Sequence, residues 1–182
     1  MIPFNDLSRQ YSRHGEAYNR MLRQVMISGR YLNGPHLADF EKAFSEFNNA
    51  GEVAGCSSGT DALEIALRAW NIGPGHEVMV PANTWVSDAE VVVRTGAIPV
   101  FIDVDLVSGL MNLEDITRKR TSDTMAIIVV HMYGNHAPVK SIRTLLGPNV
   151  TILEDHAHSV GQPVADRGHD VIGDAHAFSF YP

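Results

Sequence analysis

The chain has 182 residues, enough for one domain with a sizeable core, and its composition, 45% hydrophobic and 19% charged, has no disordered or fibrous signature. A formal net charge of −7, with basic residues scattered along the chain, argues against nucleic acid as a partner. Cys56 is the only cysteine, which excludes an internal disulfide and a cysteine-based zinc site. The start, Met1-Ile2-Pro3-Phe4-Asn5-Asp6, does not read as a signal peptide, and apolar runs such as 126–130 are too short to span a bilayer. The expectation is a soluble cytoplasmic protein with no membrane partner.

In chain order, the first predicted element is a helix over 13–27, with Ala17, Met21 and Val25 at helical spacing. A turn-rich break follows from Ser28 to Pro35. The spacing then predicts a second helix over 36–47, with Leu37, Phe40, Phe44 and Phe47 on one side as a packing stripe. From Glu52 the pattern changes to short apolar runs at 53–56, 78–80, 99–102, 125–130, 150–153 and 175–180. Helical stretches lie between them at 60–70, 87–94, 113–118 and 139–146. Alternation of this kind predicts an α/β fold of three α/β/α layers, mostly parallel in its sheet, with right-handed crossovers. A helical segment of about residues 1–50 precedes alternating strands and helices over 51–182. Ligands of such sheets bind at the carboxyl ends of the strands, where the marked polar residues fall.

Ser57-Ser58-Gly59-Thr60 joins a predicted strand to a predicted helix. Glycine lets the backbone approach an anion, hydroxyls add donors, and the helix N-terminus offers unpaired N–H groups and a positive dipole end. That suits a phosphate, although the same residues also make an ordinary N-cap. Asp155 ends the run 150–154, where an acidic residue can hold a protonated ring nitrogen or can simply cap a helix or pair in a loop. Trp85, after Pro81-Ala82-Asn83-Thr84, is placed either to stack on a flat ring or to pack in the core. Histidines and carboxylates gather late in the chain, at His131, Asp155, His156, His158, His169, Asp170, Asp174 and His176. His156-Ala157-His158 has a metal-like spacing, but no second ligand group has a recognised one, so no metal is expected and a metal-dependent hydrolase is the remote alternative.

Taken in order, these motifs resemble the DegT/DnrJ/EryC1/StrS family of pyridoxal-phosphate-dependent sugar aminotransferases. The resemblance is carried by the opening Ile2-Pro3-Phe4-Asn5-Asp6-Leu7, by Gly34-Pro35 with Phe40-Glu41, and by Ser57-Ser58-Gly59-Thr60-Asp61-Ala62-Leu63. It continues through 81–86 and 96–105, His131-Met132-Tyr133-Gly134, Glu154-Asp155, Gly173-Asp174 and Phe178-Ser179-Phe180. Departures are His76 for a usually acidic residue, Val160 after the aspartate motif, and His156 where a small residue is usual.

The resemblance implies a large domain of the aspartate-aminotransferase type. Pyridoxal 5'-phosphate would be the cofactor, with its phosphate on Ser58, Gly59 and Thr60 helped by Ser179. Trp85 would stack on the ring, Asp155 would pair with the ring nitrogen, and His158 would lie near the phenolic oxygen. The parent enzyme would move an amino group, from L-glutamate, to a nucleotide-linked keto sugar, and would be a homodimer with a small C-terminal domain.

The family lysine that attaches the cofactor lies two positions beyond Pro182, so no catalytic residue is expected within these 182 residues. Lys42, Lys119 and Lys140 lie away from the motifs. In the family sheet the neighbour of the 53–56 run is contributed by later sequence. The chain as it stands is therefore expected to be an incomplete large domain without the small domain, marginal in stability and inactive in transamination. A pyridoxamine-phosphate-dependent sugar dehydratase of the same family and a non-catalytic cofactor-binding fragment are the alternatives.

Overall fold

The structure is a computed structural model that describes residues 3, 5–49, 51–161 and 172–181. It divides into two compact units, one ending at Gly55 and one running from Cys56 to Tyr181.

In the first unit, α1 (Leu7–Ser28) starts where the Asp6 side chain accepts from the Arg9 N–H, and stops at Gly29, whose φ of 65° suits a residue without Cβ. Gly15 is the buried residue of α1, with the Tyr11 ring lying over it. Leu22 and Ile27 of the same helix are 60% and 75% exposed. Helix α2 (Pro35–Asn48) has proline in its first turn, where the lost N–H would have no intrahelical partner in any case. Its predicted stripe forms, with Phe40 stacked on Phe44 and Phe44 on Phe47. The expected strand over 53–56 does not: these residues join no ladder among the described residues. A strand exists only through pairing, and this backbone instead turns to a side chain, the Gly55 N–H donating to Glu41 Oε1 at 2.7 Å.

The second unit contains α3 (Gly59–Ala69), β1 (Glu77–Pro81), α4 (Ser87–Thr95), β2 (Ile98–Ile102), α5 (Leu113–Lys119), β3 (Thr124–Val130), α6 (Val139–Leu146), β4 (Thr151–Asp155) and β5 (Ala175–Ala177). Among the described residues, five strands pair in the order β2-β1-β3-β4-β5, all in parallel. β5 is shorter than the expected 175–180 run. Beyond Ala177 its partner β4 has already ended, and the His156 N–H closes the ladder on the Ala177 carbonyl at 2.8 Å.

Because strand side chains alternate, each strand serves both faces. Val78, Val80, Ala126, Ile128, Val130, Leu153 and Ala177 pack with Leu63 and Leu67 of α3 and Val91 and Val92 of α4. Met79, Ile127, Val129 and Ile152 pack instead with Ile116 of α5 and Ile142 and Leu146 of α6. The layers are therefore α3 and α4, sheet, α5 and α6, the α/β/α arrangement that the alternating pattern predicts. Parity also assigns the two carboxylates at the end of β4: Asp155 belongs with Leu153 on the α3–α4 face, and Glu154 belongs with Ile152 on the other. Among the described residues, no helix is long and apolar enough to cross a membrane.

Candidate functional site

The loops after β1, β3, β4 and β5 lie at the carboxyl edge of the sheet, as does the N-terminus of α3, whose Gly59 meets Ser179. Ser58 is the N-cap of α3, and its Oγ accepts from the Asp61 N–H at 3.1 Å. Gly59 and Thr60 are the first two residues of the helix, so their N–H groups have no intrahelical acceptor. A Cβ on Gly59 would stand 3.0 Å from Ser179 Cβ and 3.5 Å from Ser179 Oγ. Glycine therefore lets the segment after β5 close against the helix start. The Thr60 and Ser87 hydroxyls hydrogen-bond at 2.9 Å and join the beginnings of α3 and α4. Ser57 Oγ turns to the Asp61 carboxylate.

Trp85 lies in the loop between β1 and α4 and is 73% exposed, so its ring face is open rather than packed in the core. Asp155 closes β4, is 7% exposed, and accepts the Ala157 N–H at 2.8 Å. Burial raises its carboxyl above the ordinary range, and the Ala157 hydrogen bond opposes this. His158 is exposed, with its ring stacked on Tyr133 at 5.7 Å. The geometry thus gathers Ser58, Gly59, Thr60, Ser179 and Asp155 at one edge of the sheet, the first four around the start of α3. Lys119 and Lys140 sit on α5 and α6, which pack against the opposite face from Asp155, and Lys119 Nζ donates to the Phe101 carbonyl at 2.6 Å.

Asp88, in the first turn of α4, is the residue that sequence reasoning missed. It is 0% exposed, accepts from the Thr84 hydroxyl, and faces Asp155. Burial, with the Asp155 charge, pushes its carboxyl up to about 7. An acidic residue in a first helical turn ordinarily complements the helix dipole, so the position of Asp88 in the sequence gives no sign of its partner.

The late histidines divide where β4 ends at Asp155. His156 and His158, adjacent in the H-x-H motif, separate into a buried and an exposed residue. His131, Glu154 and His156 come together on the α5–α6 side, with ligand-type atoms all within 4.8 Å of one another. Protein hydrogen bonds close this trio. The Ala137 N–H donates to His131 Nδ1 at 3.2 Å, which places the ring proton on Nε2 and aims it at Glu154 Oε2, 2.8 Å away. Glu154 Oε1 accepts from the Gly173 N–H at 2.8 Å. His156 hydrogen-bonds Ser159 Oγ at 2.9 Å and His176 Nδ1 at 3.1 Å. Burial lowers the pKa of both His156 and His176, so the paired rings are neutral. Neutral rings and a carboxylate already given donors make a packed support beneath the end of β4.

Residues 12–182 match the DegT/DnrJ/EryC1/StrS aminotransferase family. The dTDP-3-amino-3,6-dideoxy-alpha-D-galactopyranose transaminase of Aneurinibacillus thermoaerophilus is 36% identical over 99% of this chain and 50% of its own length. The crystal structure of S. venezuelae DesV is 35% identical with a TM-score of 0.92, covering 100% of this chain and 49% of that one. Bacillus subtilis NtdA with bound PMP cofactor is 30% identical with a TM-score of 0.80, over 84% of this chain and 35% of that one. The chain spans about half the length of the curated relatives it matches.

Proposed function

Because the chain belongs to the DegT/DnrJ/EryC1/StrS aminotransferase family, we propose that it carries the pyridoxal 5'-phosphate cradle of an enzyme that moves an amino group from L-glutamate to a nucleotide-linked keto sugar. The observation that carries this reading is one edge of the sheet where a helix N-terminus with a glycine fitted against Ser179 lies in the same unit as a buried carboxylate. The residues fit the group. A phosphate suits the Gly59 and Thr60 N–H groups with the Ser58 and Ser179 hydroxyls, because charge-assisted hydrogen bonds to an anion at a helix start are among the stronger ones.

Asp155 would hold the proton of the ring nitrogen, Trp85 would cover a ring face, and His158 would stand near the phenolic oxygen. Once bound, the cofactor supplies the electron sink on which transamination depends. The protein orients that sink. The α3 N-terminus fixes one end by its dipole and Asp155 fixes the other by its charge, while the α3–α4 core excludes water behind Asp155. The relatives named as transaminases of dTDP- and UDP-linked sugars support the substrate class. A homodimer in the cytoplasm is the expected state.

The test is the full-length protein incubated with pyridoxal phosphate, L-glutamate and a nucleotide-linked keto sugar, with the amino sugar followed by mass spectrometry. We expect aminated sugar and stoichiometric 2-oxoglutarate, both lost in Asp155→Ala. Cofactor binding that is unchanged by Asp155→Ala, or no amination across a panel of keto sugars, would overturn the reading.

A further inference from the structure

Asp88 and Asp155 are two carboxyl groups in side-chain hydrogen-bond contact, Asp88 from the first turn of α4 and Asp155 from the end of β4. Ionised carboxylates only accept, so two of them make a hydrogen bond only when one carries a proton. The surroundings say which one does. Asp155 receives the Ala157 N–H at 2.8 Å and keeps 7% of its surface exposed, against none for Asp88. Asp88 receives the Thr84 hydroxyl on Oδ2, while its Oδ1 is buried and meets no donor among the described residues. An ionised group there would keep a desolvated charge with a single hydrogen bond, an expensive arrangement. With the proton on Asp88 pointing at Asp155, the like-charge contact vanishes.

We infer that Asp88 is a positioning residue for Asp155: it stands behind it as a neutral carboxylic acid, donates its proton to it, and keeps it a single, aimed anion. For the ring this rests on the function proposed above. A pair with one negative charge matches one ring-nitrogen cation, and the hydrogen bond received from Asp88 makes Asp155 a weaker base, so the proton it meets stays on the ring. Burial of Asp88 raises its carboxyl in the same direction, with Asp155 the charged neighbour and the Thr84 hydroxyl opposing.

The test begins without cofactor. Full-length protein labelled with carboxyl-13C aspartate is titrated by NMR, wild type beside Asp88→Asn. We expect one aspartate to stay protonated well above the ordinary carboxylate range, and that signal to disappear in Asp88→Asn while Asp155 titrates at lower pH. A wild type whose aspartates all titrate in the ordinary range overturns the inference, as does an elevated signal that survives the substitution. The second arm measures affinity for pyridoxal phosphate. Asp88→Asn, whose amide still donates to Asp155, keeps it within about threefold, whereas Asp88→Ala loses about tenfold, the scale of one hydrogen bond to a charged group. Equal losses in both variants would mean that Asp88 only fills space. If the elevated titration is present but the wild type does not bind pyridoxal phosphate, the shared proton stands and the proposed function falls. If the cofactor binds and the titration is ordinary, the inference falls alone.

Discussion

Replacing Gly59 with alanine separates the stability of the fold from the geometry of the phosphate cradle. Alanine inside a helix is favoured over glycine by roughly 0.5–1 kcal/mol. Against this, its Cβ would stand 3.0 Å from Ser179 Cβ, short of the roughly 3.5–4.0 Å at which carbon contacts are optimal. Ser179 lies beyond the last ladder pair of β5 and can retreat by about half an ångström, so the overpacking cost stays at or below the low end of the usual ~1–3 kcal/mol. The two effects nearly cancel, and the melting temperature should move by no more than about 3 °C. Cofactor affinity should not be spared. A retreating Ser179 withdraws one hydroxyl from the anion, and a hydrogen bond to a charged group is worth about 1.5–3 kcal/mol, or roughly 10–150-fold in affinity. Titration of the full-length variant with pyridoxal phosphate, followed by absorbance, reads this directly, with Ser179→Ala and the double variant completing a cycle. Wild-type affinity in Gly59→Ala would refute the reasoning, and so would losses that add fully, since both substitutions are argued to remove the same contact.

Gly173→Ala should behave in the opposite way and cost stability. Its Cβ would fall 2.4 Å from Glu154 Oε1 and 2.9 Å from Glu154 Cγ, and Glu154 is held from the other side by His131. Loss of the Gly173–Glu154 hydrogen bond with overpacking implies about 2–4 kcal/mol, readable by urea denaturation and partly rescued by Glu154→Asp. Asp115 is held below its ordinary 3.8 first by the Asp103 N–H and then by Lys119 and Arg118. The native state therefore releases that proton more readily than the unfolded chain, and the stabilisation is present above pH 3.8 and fades as the pH falls below it. Asp115→Asn should melt lower than wild type at neutral pH and approach it in acid; a gap that does not change with pH would contradict this. Ile128→Ala, in the middle of β3 and fully buried against the α3–α4 layer, should cost about 2–5 kcal/mol in the same denaturation assay, and a value below about 1 kcal/mol would mean that the site collapses around the loss.

Periodicity was enough for most of the fold. The helix expected over 139–146 is α6 to the residue, and the one expected over 60–70 is α3 displaced by one position. The 53–56 run was not legible, because its apolar residues fit a strand while its pairing depends on a neighbour that local sequence does not specify. The positions of Ser58, Gly59 and Thr60 at a helix start, and of Asp155 at a strand end, come from the same alternation. The groups behind them do not. Asp88 meets Asp155 across 67 positions of sequence, and His131 meets Glu154 across 23. Only strand order together with side-chain parity brings such pairs together. His156 looked like half of a motif with His158, yet its ring partners are His131, His176 and Phe178, on two other segments.

The brevity of β5 has a consequence for when the cradle is intact. Only three ladder pairs tie Ala175–Ala177 to β4, and Ser179 comes two residues later. In contrast, β3 is clasped by β1 and β4 along its length. Segments with few pairs open locally at a small fraction of the global unfolding free energy. Amide hydrogen exchange should therefore be fast at His176 and Ala177 and slow at Ile127 and Ile128, and an anion bridging Ser179 to the start of α3 should slow the former while leaving the latter unchanged. The phosphate would then act as a clasp that completes the fold at its weakest strand, so that cofactor loading and local folding are one equilibrium.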